Sequence, residues 1–165
     1  MPTSATNVEP ARRPPGIFID GDACPVKDET YRVAKRYGLT VWVVANRWMR
    51  VPTEPWLHLI VVKDDALDAA DDRIVEDVAD HDIVITEDIP LAARSLEKGA
   101  LVVNPRGREF TEASIGEALA MRELTANLRE EGTLTGGPRP FDKKARSGFL
   151  QRLDEMVNRV KRTAR

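Results

Sequence analysis

Short, almost continuously apolar segments alternate along this chain with segments of helical periodicity. The apolar segments predict five strands, over residues 16–20, 39–45, 57–62, 82–86 and 100–103. Strands that are apolar at nearly every position must be buried on both faces, which is typical of a parallel sheet covered by helices. The pattern therefore predicts an α/β fold in which helices lie on both faces of the sheet.

The helical segments divide the chain into a body and a C-terminal extension. Proline at its start and glycine after its end mark the first predicted helix, from Pro25 to Tyr37. The other helices are predicted over residues 66–79, 90–99, 111–131 and 143–161. We expect a disordered leader, an α/β domain, and then a linker with a basic helix that packs on the domain. These parts span residues 1–15, 16–131 and 132–165.

Composition excludes several classes of protein. No apolar run approaches the roughly 20 residues that a membrane-spanning helix needs, and the first 15 residues lack the apolar core of a signal peptide. The single cysteine fits a reducing compartment. Two histidines and one cysteine also argue against a structural zinc site. We therefore expect a cytoplasmic protein without a membrane partner.

Acidic residues follow two of the predicted strands directly. Asp20 and Asp22 come after the first strand, and Asp88 comes after the fourth. Because the carboxyl ends of parallel strands share one edge of the sheet, where ligands bind, these carboxylates should converge. The simpler interpretation is that Asp22 and Asp88 cap the helices that follow them.

The helix between the third and fourth strands adds three carboxylates on one side. Asp68 and Asp72 are four residues apart, and Asp71 falls within the apolar stripe that contains Ile74. A carboxylate on a core face needs a partner, which a metal would provide. Acidic residues also favour the first turn of a helix because of its dipole, so this helix taken alone would need no ligand.

Together these acids predict a site for a divalent cation. Like charges repel unless a cation neutralises them, and carboxylate oxygens suit Mg²⁺ or Mn²⁺. The predicted catalytic residues are Asp20, Asp68, Asp71 and Asp88, and the predicted metal ligands are these four with Asp22 and Asp72 in support. Such a site is typical of metal-dependent phosphoryl transfer, above all of a nuclease.

The charge distribution indicates where a polyanion would bind. The chain has a net charge of −2, yet residues 139–165 carry nine basic and three acidic residues. This asymmetry is compatible with a nucleic-acid partner, although a solvated arginine-rich helix has the same composition. The predicted substrate-binding residues are Asn46, Asn104, Arg106, Arg108, Lys143, Lys144 and Arg146. The two asparagines could equally be turn residues.

Two further residue types are open to more than one interpretation. Cys24 lies beside the first acidic segment, and we interpret it as a small packed residue rather than a nucleophile. Trp42, Trp48 and Trp56 surround the second strand and the loop after it. Packing in the core or against a partner is their default interpretation, and stacking on a nucleic-acid base is the alternative.

Five segments resemble motifs of one bacterial protein family. They are residues 19–27, 68–72, 85–92, 104–107 and 135–141. In this order they resemble the YaiI/YqxD family, also called UPF0178 or DUF188, over about residues 17–157. The usual Asp-Ala-Asp at the start of that family is here Asp20-Gly21-Asp22, which keeps both acids.

The resemblance implies a fold and an activity. The family is largely uncharacterised and resembles PIN-like nucleases, which implies a three-layer PIN-like (Rossmann-like) fold with a central, mainly parallel five-stranded sheet. It also implies a Mg²⁺- or Mn²⁺-dependent hydrolase that cleaves phosphodiester bonds in RNA. Asp20, Asp88 and one or more of Asp68, Asp71 and Asp72 would match the PIN-like acids.

Two other functions stay open at this point. Asp20-Gly21-Asp22 places two acids two residues apart, as in a HAD-type phosphatase, although Cys24 stands where that motif has threonine. The second alternative is a non-catalytic module that binds nucleic acid or has a regulatory role. A phosphoaspartate on Asp20 would favour the phosphatase, and RNA binding without turnover would favour the module.

Overall fold

One sheet of six strands organises the protein. The computed structural model describes residues 13–63, 68–130, 132 and 140–163, and every structural statement below concerns these residues. The strands are β1 (Ile17–Asp20), β2 (Val41–Ala45), β3 (Leu57–Val61), β4 (Ile83–Ile85), β5 (Leu101–Val103) and β6 (Glu109–Phe110). The five predicted strands are all present. Strand β6 was not predicted, because two residues are too few to show an alternating pattern.

Helices connect most of the strands. They are α1 (Lys27–Tyr37), α2 (Ala69–Asp77), α3 (Ile89–Glu97), α4 (Glu112–Glu130) and α5 (Lys143–Thr163). A single 3₁₀ turn, Gly21–Ala23, joins β1 to the segment before α1. Helix α1 ends at Gly38, which adopts a left-handed conformation with φ of 68° that glycine tolerates best. None of the helices in the described parts of the chain is long and apolar enough to cross a membrane.

The order of the strands explains where a ligand would bind. The order is β3-β2-β1-β4-β5-β6, with β1 to β5 parallel and β6 antiparallel to β5. The chain moves outward from β1 to β3 on one side and then resumes at β4 on the other side of β1. Adjacent strands whose connections leave in opposite directions form a crevice at their carboxyl ends, which is where open α/β sheets bind ligands. The α/β fold with a mainly parallel sheet is therefore confirmed, and the crevice lies between β1 and β4.

Alternate residues of the strands build two separate core layers. Ile17 and Ile19 of β1 pack on one face of the sheet with α1 and α5. Phe18, between them, packs on the other face with residues of α2, α3 and α4. Because successive side chains of a strand point to opposite faces, a strand that is apolar at every position has to be covered on both sides. The result is a three-layer, Rossmann-like arrangement.

Helix α5 packs on the body of the same chain. Its buried residues are Phe149, Leu153, Met156, Val157 and Val160, which lie at helical spacing. Basic residues of the helix also bond to the body, since Arg159 donates to both carboxylate oxygens of Glu109 at 2.6 and 3.1 Å. Much of the positive charge of this segment is thereby engaged within the protein. The predicted linker, residues 132–140, lies outside the described residues except for its first and last positions.

A buried ion pair closes the amino edge of the sheet. Both terminal nitrogens of Arg13 donate to the carboxylate of Asp82, at 2.8 and 2.5 Å. The guanidinium also lies 4.7 Å from the centre of the Trp42 ring, a cation–π contact. Arg13 belongs to the segment that we expected to be a disordered leader; residues 1–12 of that segment lie outside the described residues.

Candidate active site at the carboxyl edge of the sheet

Three acidic residues from three different elements meet at the crevice between β1 and β4. Asp20 is the last residue of β1, Asp71 lies in the first turn of α2, and Asp88 immediately precedes α3. The carboxyl group of Asp71 hydrogen-bonds with that of Asp88 and feels the charge of Asp20. The structure thus brings together three of the four residues that we predicted to be catalytic. We refer to them as the acidic triad.

Local hydrogen bonds hold two members of the acidic triad in place. Asp88 accepts the backbone N–H of Leu91 at 2.9 Å, as an N-cap residue does. Its own backbone N–H donates to the hydroxyl of Thr86 at 2.9 Å, and that hydroxyl donates to Asp20 at 2.8 Å. Thr86 therefore links the two acids, although it was not among the predicted site residues. Its position directly before the acidic residues of the β4–α3 loop is the sequence feature that could have indicated this role.

The electrostatics of the acidic triad favour the binding of a positive charge. The pKa of Asp71 is raised from 3.8 to about 7, first by burial and then by the charges of Asp88 and Asp20. Burial also raises the pKa of Asp20, while the hydrogen bond from Thr86 lowers it in part. Near neutral pH, Asp71 consequently binds a proton part of the time. A cation in the pocket would compete with that proton.

Two members of the acidic triad, Asp20 and Asp88, line a small cavity of about 300 Å³. Its lining residues are Asp20, Ala23, Cys24, Ile85, Thr86, Glu87, Asp88 and Pro105. Burial raises the pKa of the Cys24 thiol to about 11, so the group stays neutral and is a poor nucleophile. Lys27 donates to the carbonyl of Cys24 at 2.9 Å, and its charge lowers the pKa of Asp20. Lys27 therefore also lies near the site, although it was not among the predicted site residues.

Comparisons with known proteins give the same family as the sequence motifs. A family model described as an uncharacterized BCR, YaiI/YqxD family, matches residues 18–159. The chain belongs to the YaiI/YqxD family. A UPF0178 protein of Paramagnetospirillum magneticum is 58% identical over 146 residues, which cover 88% of this chain and 96% of the relative. A UPF0178 protein of Gluconacetobacter diazotrophicus is 53% identical over 148 residues, which cover 90% of this chain and 96% of the relative. No solved structure matches the chain.

The other predicted metal ligands of this YaiI/YqxD domain lie at the margin of the site or outside it. Asp68 is exposed at the start of α2 and helps to raise the pKa of Asp71. The carboxylate of Asp22 accepts both the backbone N–H and the side-chain amide of Asn46, at 3.1 and 2.9 Å. Asp72 instead pairs with Arg94 of α3 at 2.9 Å, and its side chain is 60% exposed. Asp72 thus forms a surface ion pair with α3 and does not join the acidic triad.

The predicted substrate-binding residues of the body have mainly local roles. The side-chain oxygen of Asn104 accepts the backbone N–H groups of Arg106 and Arg108, which closes the turn after β5. Arg108 also lines a groove of about 510 Å³ that begins beside the acidic triad, at Glu87. Asn46 bonds to Asp22, as described above. Of these residues, Arg108 thus keeps an exposed side chain along a groove that leaves the site.

The predicted basic residues of α5 divide into two kinds. Arg146 donates to the carbonyl of Pro25 at 2.8 Å and pairs with Glu29 at 3.2 Å, so its charge helps to dock α5 on α1. Lys143 and Lys144 are exposed in the first turn of α5. Lys144 lines a groove of about 510 Å³ together with Arg106. The guanidinium of Arg146 is thus engaged in contacts with α1 and the segment before it.

The acidic triad offers the type of donor that a hard cation prefers, namely carboxylate oxygens alone. In the described parts of the chain, no group of three or more His, Cys, Asp or Glu side chains is set at distances that would hold a metal ion. The hydrogen bond between Asp71 and Asp88 brings two carboxyl groups together, and a cation bound between them would replace the shared proton. The type of donor is therefore the one that Mg²⁺ or Mn²⁺ prefers, and Asp20, Asp71 and Asp88 are the residues that would supply it.

Proposed function

We propose that this protein hydrolyses phosphodiester bonds, in RNA, with Mg²⁺ or Mn²⁺ bound by the acidic triad. The observation that carries the proposal is the convergence of Asp20, Asp71 and Asp88 at the crevice between β1 and β4. Open α/β sheets bind their ligands at this point of the topology. The resemblance of the family to PIN-like nucleases supports the same activity.

Ion pairing within the fold does not balance the charges of the acidic triad. No basic side chain among the described residues forms an ion pair with Asp20, Asp71 or Asp88. The negative charges of Asp88 and Asp20 instead make the ionisation of Asp71 less favourable, as its raised pKa shows. Carboxylates that repel one another destabilise the fold unless a ligand neutralises them, and strongly perturbed pKa values in a cleft are typical of functional sites.

The residues of the site have distinct roles in the proposed reaction. Asp20, Asp71 and Asp88 would hold the cation, and Thr86 orients the carboxylate of Asp20 through its hydroxyl. A bound cation would polarise the phosphate and lower the pKa of a water molecule. Asp71 would have to lose its proton to act as a ligand, so cation binding would be weaker at acidic pH. Arg108 and Lys144, on the two neighbouring grooves, supply positive charge for the phosphates of the substrate.

The phosphatase alternative requires Asp22 as an acid that faces the same substrate as Asp20. The carboxylate of Asp22 instead accepts two hydrogen bonds from Asn46, and these bonds hold it against the loop after β2. A nuclease needs no such acid at this position. The geometry of Asp22 therefore favours the nuclease over the phosphatase.

The decisive experiment compares cleavage by the wild type with cleavage by two classes of aspartate variant. Labelled single-stranded RNA, and DNA of the same sequence, would be incubated with Mg²⁺, Mn²⁺ or EDTA. Asp20→Asn and Asp71→Asn should each lower the cleavage rate by at least about 100-fold, since each removes a charged ligand of the cation. Asp72→Asn is the matched control, and it should cleave like the wild type because Asp72 pairs with Arg94.

Two outcomes would contradict the proposal. If calorimetry shows that Mn²⁺ binds equally well to the wild type and to Asp20→Asn, the acidic triad is not the cation site. If RNA binds with equal affinity to the wild type and Asp71→Asn and neither protein cleaves it with any cation, the non-catalytic module is the correct interpretation. Formation of a phosphoaspartate on Asp20 from a phosphate monoester would instead identify a phosphatase.

A further inference from the structure

One of the three tryptophans lies outside the core. Trp48, in the loop after β2, is 73% exposed. Trp42 is only 7% exposed and stacks on Phe18, with the ring centres 4.7 Å apart. Trp56 is partly buried against the core and contacts the edge of Tyr31. Packing in the core therefore accounts for Trp42 and Trp56 but not for Trp48.

The side chain of Trp48 flanks a groove of about 630 Å³ on an edge strand of the sheet. Besides Trp48, the groove is lined by Met49, Arg50, Val51, Thr53, Leu59 and Val61. The last two residues belong to β3, which is the outermost strand on this side. No acidic residue is among the described residues that line the groove. The surface around Trp48 thus combines an exposed aromatic ring with apolar and basic side chains.

Two arginines beside Trp48 have no partner within the described residues. Arg47 and Arg50 are both exposed, and neither side chain takes part in a hydrogen bond or ion pair there. This distinguishes them from Arg146 and Arg159, whose guanidinium groups bond to the body of the protein. Two free guanidinium groups within two residues of an exposed indole ring complement a chain that carries alternating phosphates and flat bases.

The loop that carries Trp48 is tied to the acidic edge of the sheet. Asn46, two residues before Trp48, donates its backbone N–H and its side-chain amide to Asp22. Asp22 in turn lies two residues after Asp20, which is the last residue of β1. Two residues of extended chain reach about 7 Å, so the backbone of Trp48 lies within about that distance of Asn46. The loop that carries Trp48 thus starts at the acidic edge of the sheet.

We propose that Trp48, Arg47 and Arg50 form a platform that binds a single-stranded nucleic acid and leads it to the acidic triad. One base stacks on the exposed face of Trp48, and the two arginines contact the phosphates on either side of that base. A single strand is the occupant because its bases present free faces, whereas the bases of a duplex are already stacked on each other. The inference rests on the proposed function in one respect: the strand bound here is the one that the acidic triad cleaves.

The test measures binding without cleavage. A fluorescein-labelled oligouridylate of about ten nucleotides would be titrated in EDTA, and binding followed by anisotropy. Trp48→Ala should weaken binding by about tenfold or more, whereas Trp48→Phe should keep most of the affinity because it keeps an aromatic face. The double variant Arg47→Gln/Arg50→Gln should reduce the dependence of log Kd on log salt by about 0.7 for each phosphate that the arginines neutralise in the wild type.

Two matched control variants distinguish a specific role of the platform from a general loss of exposed apolar surface or positive charge. Leu124→Ala removes another exposed apolar side chain, from α4, and Arg32→Gln removes one positive charge from the exposed face of α1. Both controls should bind like the wild type. Because Trp48 belongs to neither core cluster, its variants should unfold at the same urea concentration as the wild type.

Several outcomes would overturn the platform. The proposal is wrong if the wild type and Trp48→Ala bind the oligouridylate with equal affinity. It is also wrong if the wild type binds a duplex of the same length as tightly as it binds the oligouridylate. A loss of dimers in light scattering with Trp48→Ala, at unchanged affinity for the oligouridylate, would show that the surface binds a second copy instead.

If Trp48→Ala weakens binding but the wild type cleaves nothing with Mg²⁺ or Mn²⁺, the platform stands and the proposed nuclease activity fails. If RNA is cleaved at the wild-type KM by Trp48→Ala, the activity stands and the platform fails.

Discussion

The two edges of the sheet carry buried or partly buried carboxylates in opposite surroundings. At the amino edge, the fully buried carboxylate of Asp82 accepts four hydrogen bonds. The donors are both terminal nitrogens of Arg13 and the backbone N–H groups of Gly16 and Ala79. At the carboxyl edge, Asp71 faces two other acids, Asp20 and Asp88, and burial together with their charge raises its pKa to about 7.

The comparison shows that the surroundings of a carboxylate, rather than its burial alone, indicate its role. Asp82 has a donor for each of its lone-pair directions and an opposite charge beside it, so its carboxylate is fully paired within the fold. The acidic neighbours of Asp71 repel its negative charge. This repulsion is removed when Asp71 binds a proton or when a cation binds beside it. The first arrangement stabilises the structure, and the second leaves a place for a ligand.

The largest expected effect is the loss of Asp82. Asp82→Ala should lower the free energy of unfolding by about 3–5 kcal/mol, because it leaves the buried charge of Arg13 without a partner. Urea denaturation measures this change. Asp80→Ala is the matched control, since the side chain of Asp80 is 71% exposed, and it should change the stability little. A small effect of Asp82→Ala would show that the amino edge does not depend on the ion pair.

A smaller effect of the opposite sign is expected at Asp71. Its pKa of about 7 in the folded protein lies above its value of 3.8 in the unfolded chain. The folded state therefore binds the proton more tightly, and this contribution to stability is full below pH 4 and lost as the pH rises through about 7. In EDTA, the wild type should lose stability between pH 5 and pH 8 relative to Asp71→Asn, which has no proton to lose at this position.

Urea midpoints of both proteins at the two pH values provide this measurement. Mn²⁺ should restore the stability of the wild type at pH 8 and have less effect on Asp71→Asn, since it neutralises the ionised triad. If Asp71→Asn is clearly less stable than the wild type at pH 8, Asp71 is a structural hydrogen-bond acceptor and resembles Asp82. In that case, retained cleavage by the variant would also remove Asp71 from the catalytic residues.

The smallest effect is expected at Asp72, which lies next to Asp71 but outside the pocket. Its ion pair with Arg94 joins two side chains that are 60% and 44% exposed. Exposed pairs of this kind contribute between 0 and about 1 kcal/mol. Asp72→Asn should therefore change the urea midpoint slightly and leave the affinity for Mn²⁺ unaltered in calorimetry. A clear loss of Mn²⁺ affinity would return Asp72 to the site.

The sequence was sufficient for the fold and for part of the site. Continuous apolar strands such as Val41–Ala45 could be recognised because burial on both faces leaves no polar position in the pattern. Asp20 and Asp88 could be assigned to one edge because all parallel strands end on the same side. Asp71 could be added because a carboxylate within the apolar stripe of a helix is unusual. Strand β6 could not be predicted from two residues.

The roles of individual side chains depended on contacts between distant segments. Asp71 and Asp72 are adjacent in sequence, yet one joins the acidic triad and the other pairs with Arg94, twenty-two residues away. Arg146 looked available for a phosphate until the packing of α5 on α1 brought it to Glu29, 117 residues away. Arg13 lies in a segment whose composition predicts disorder, and its partner Asp82 is 69 residues distant.

The order of the elements, the faces of the strands and the edge at which the acids meet can be predicted along the chain, because local periodicity and the direction of parallel strands govern all three. Which acids face one another, which cations are already paired and which tryptophan is exposed depend on how the folded segments pack. A hydrogen bond or ion pair needs a partner within about 3–4 Å. That distance is set by how the helices pack on the sheet, and helical spacing along the chain does not specify it.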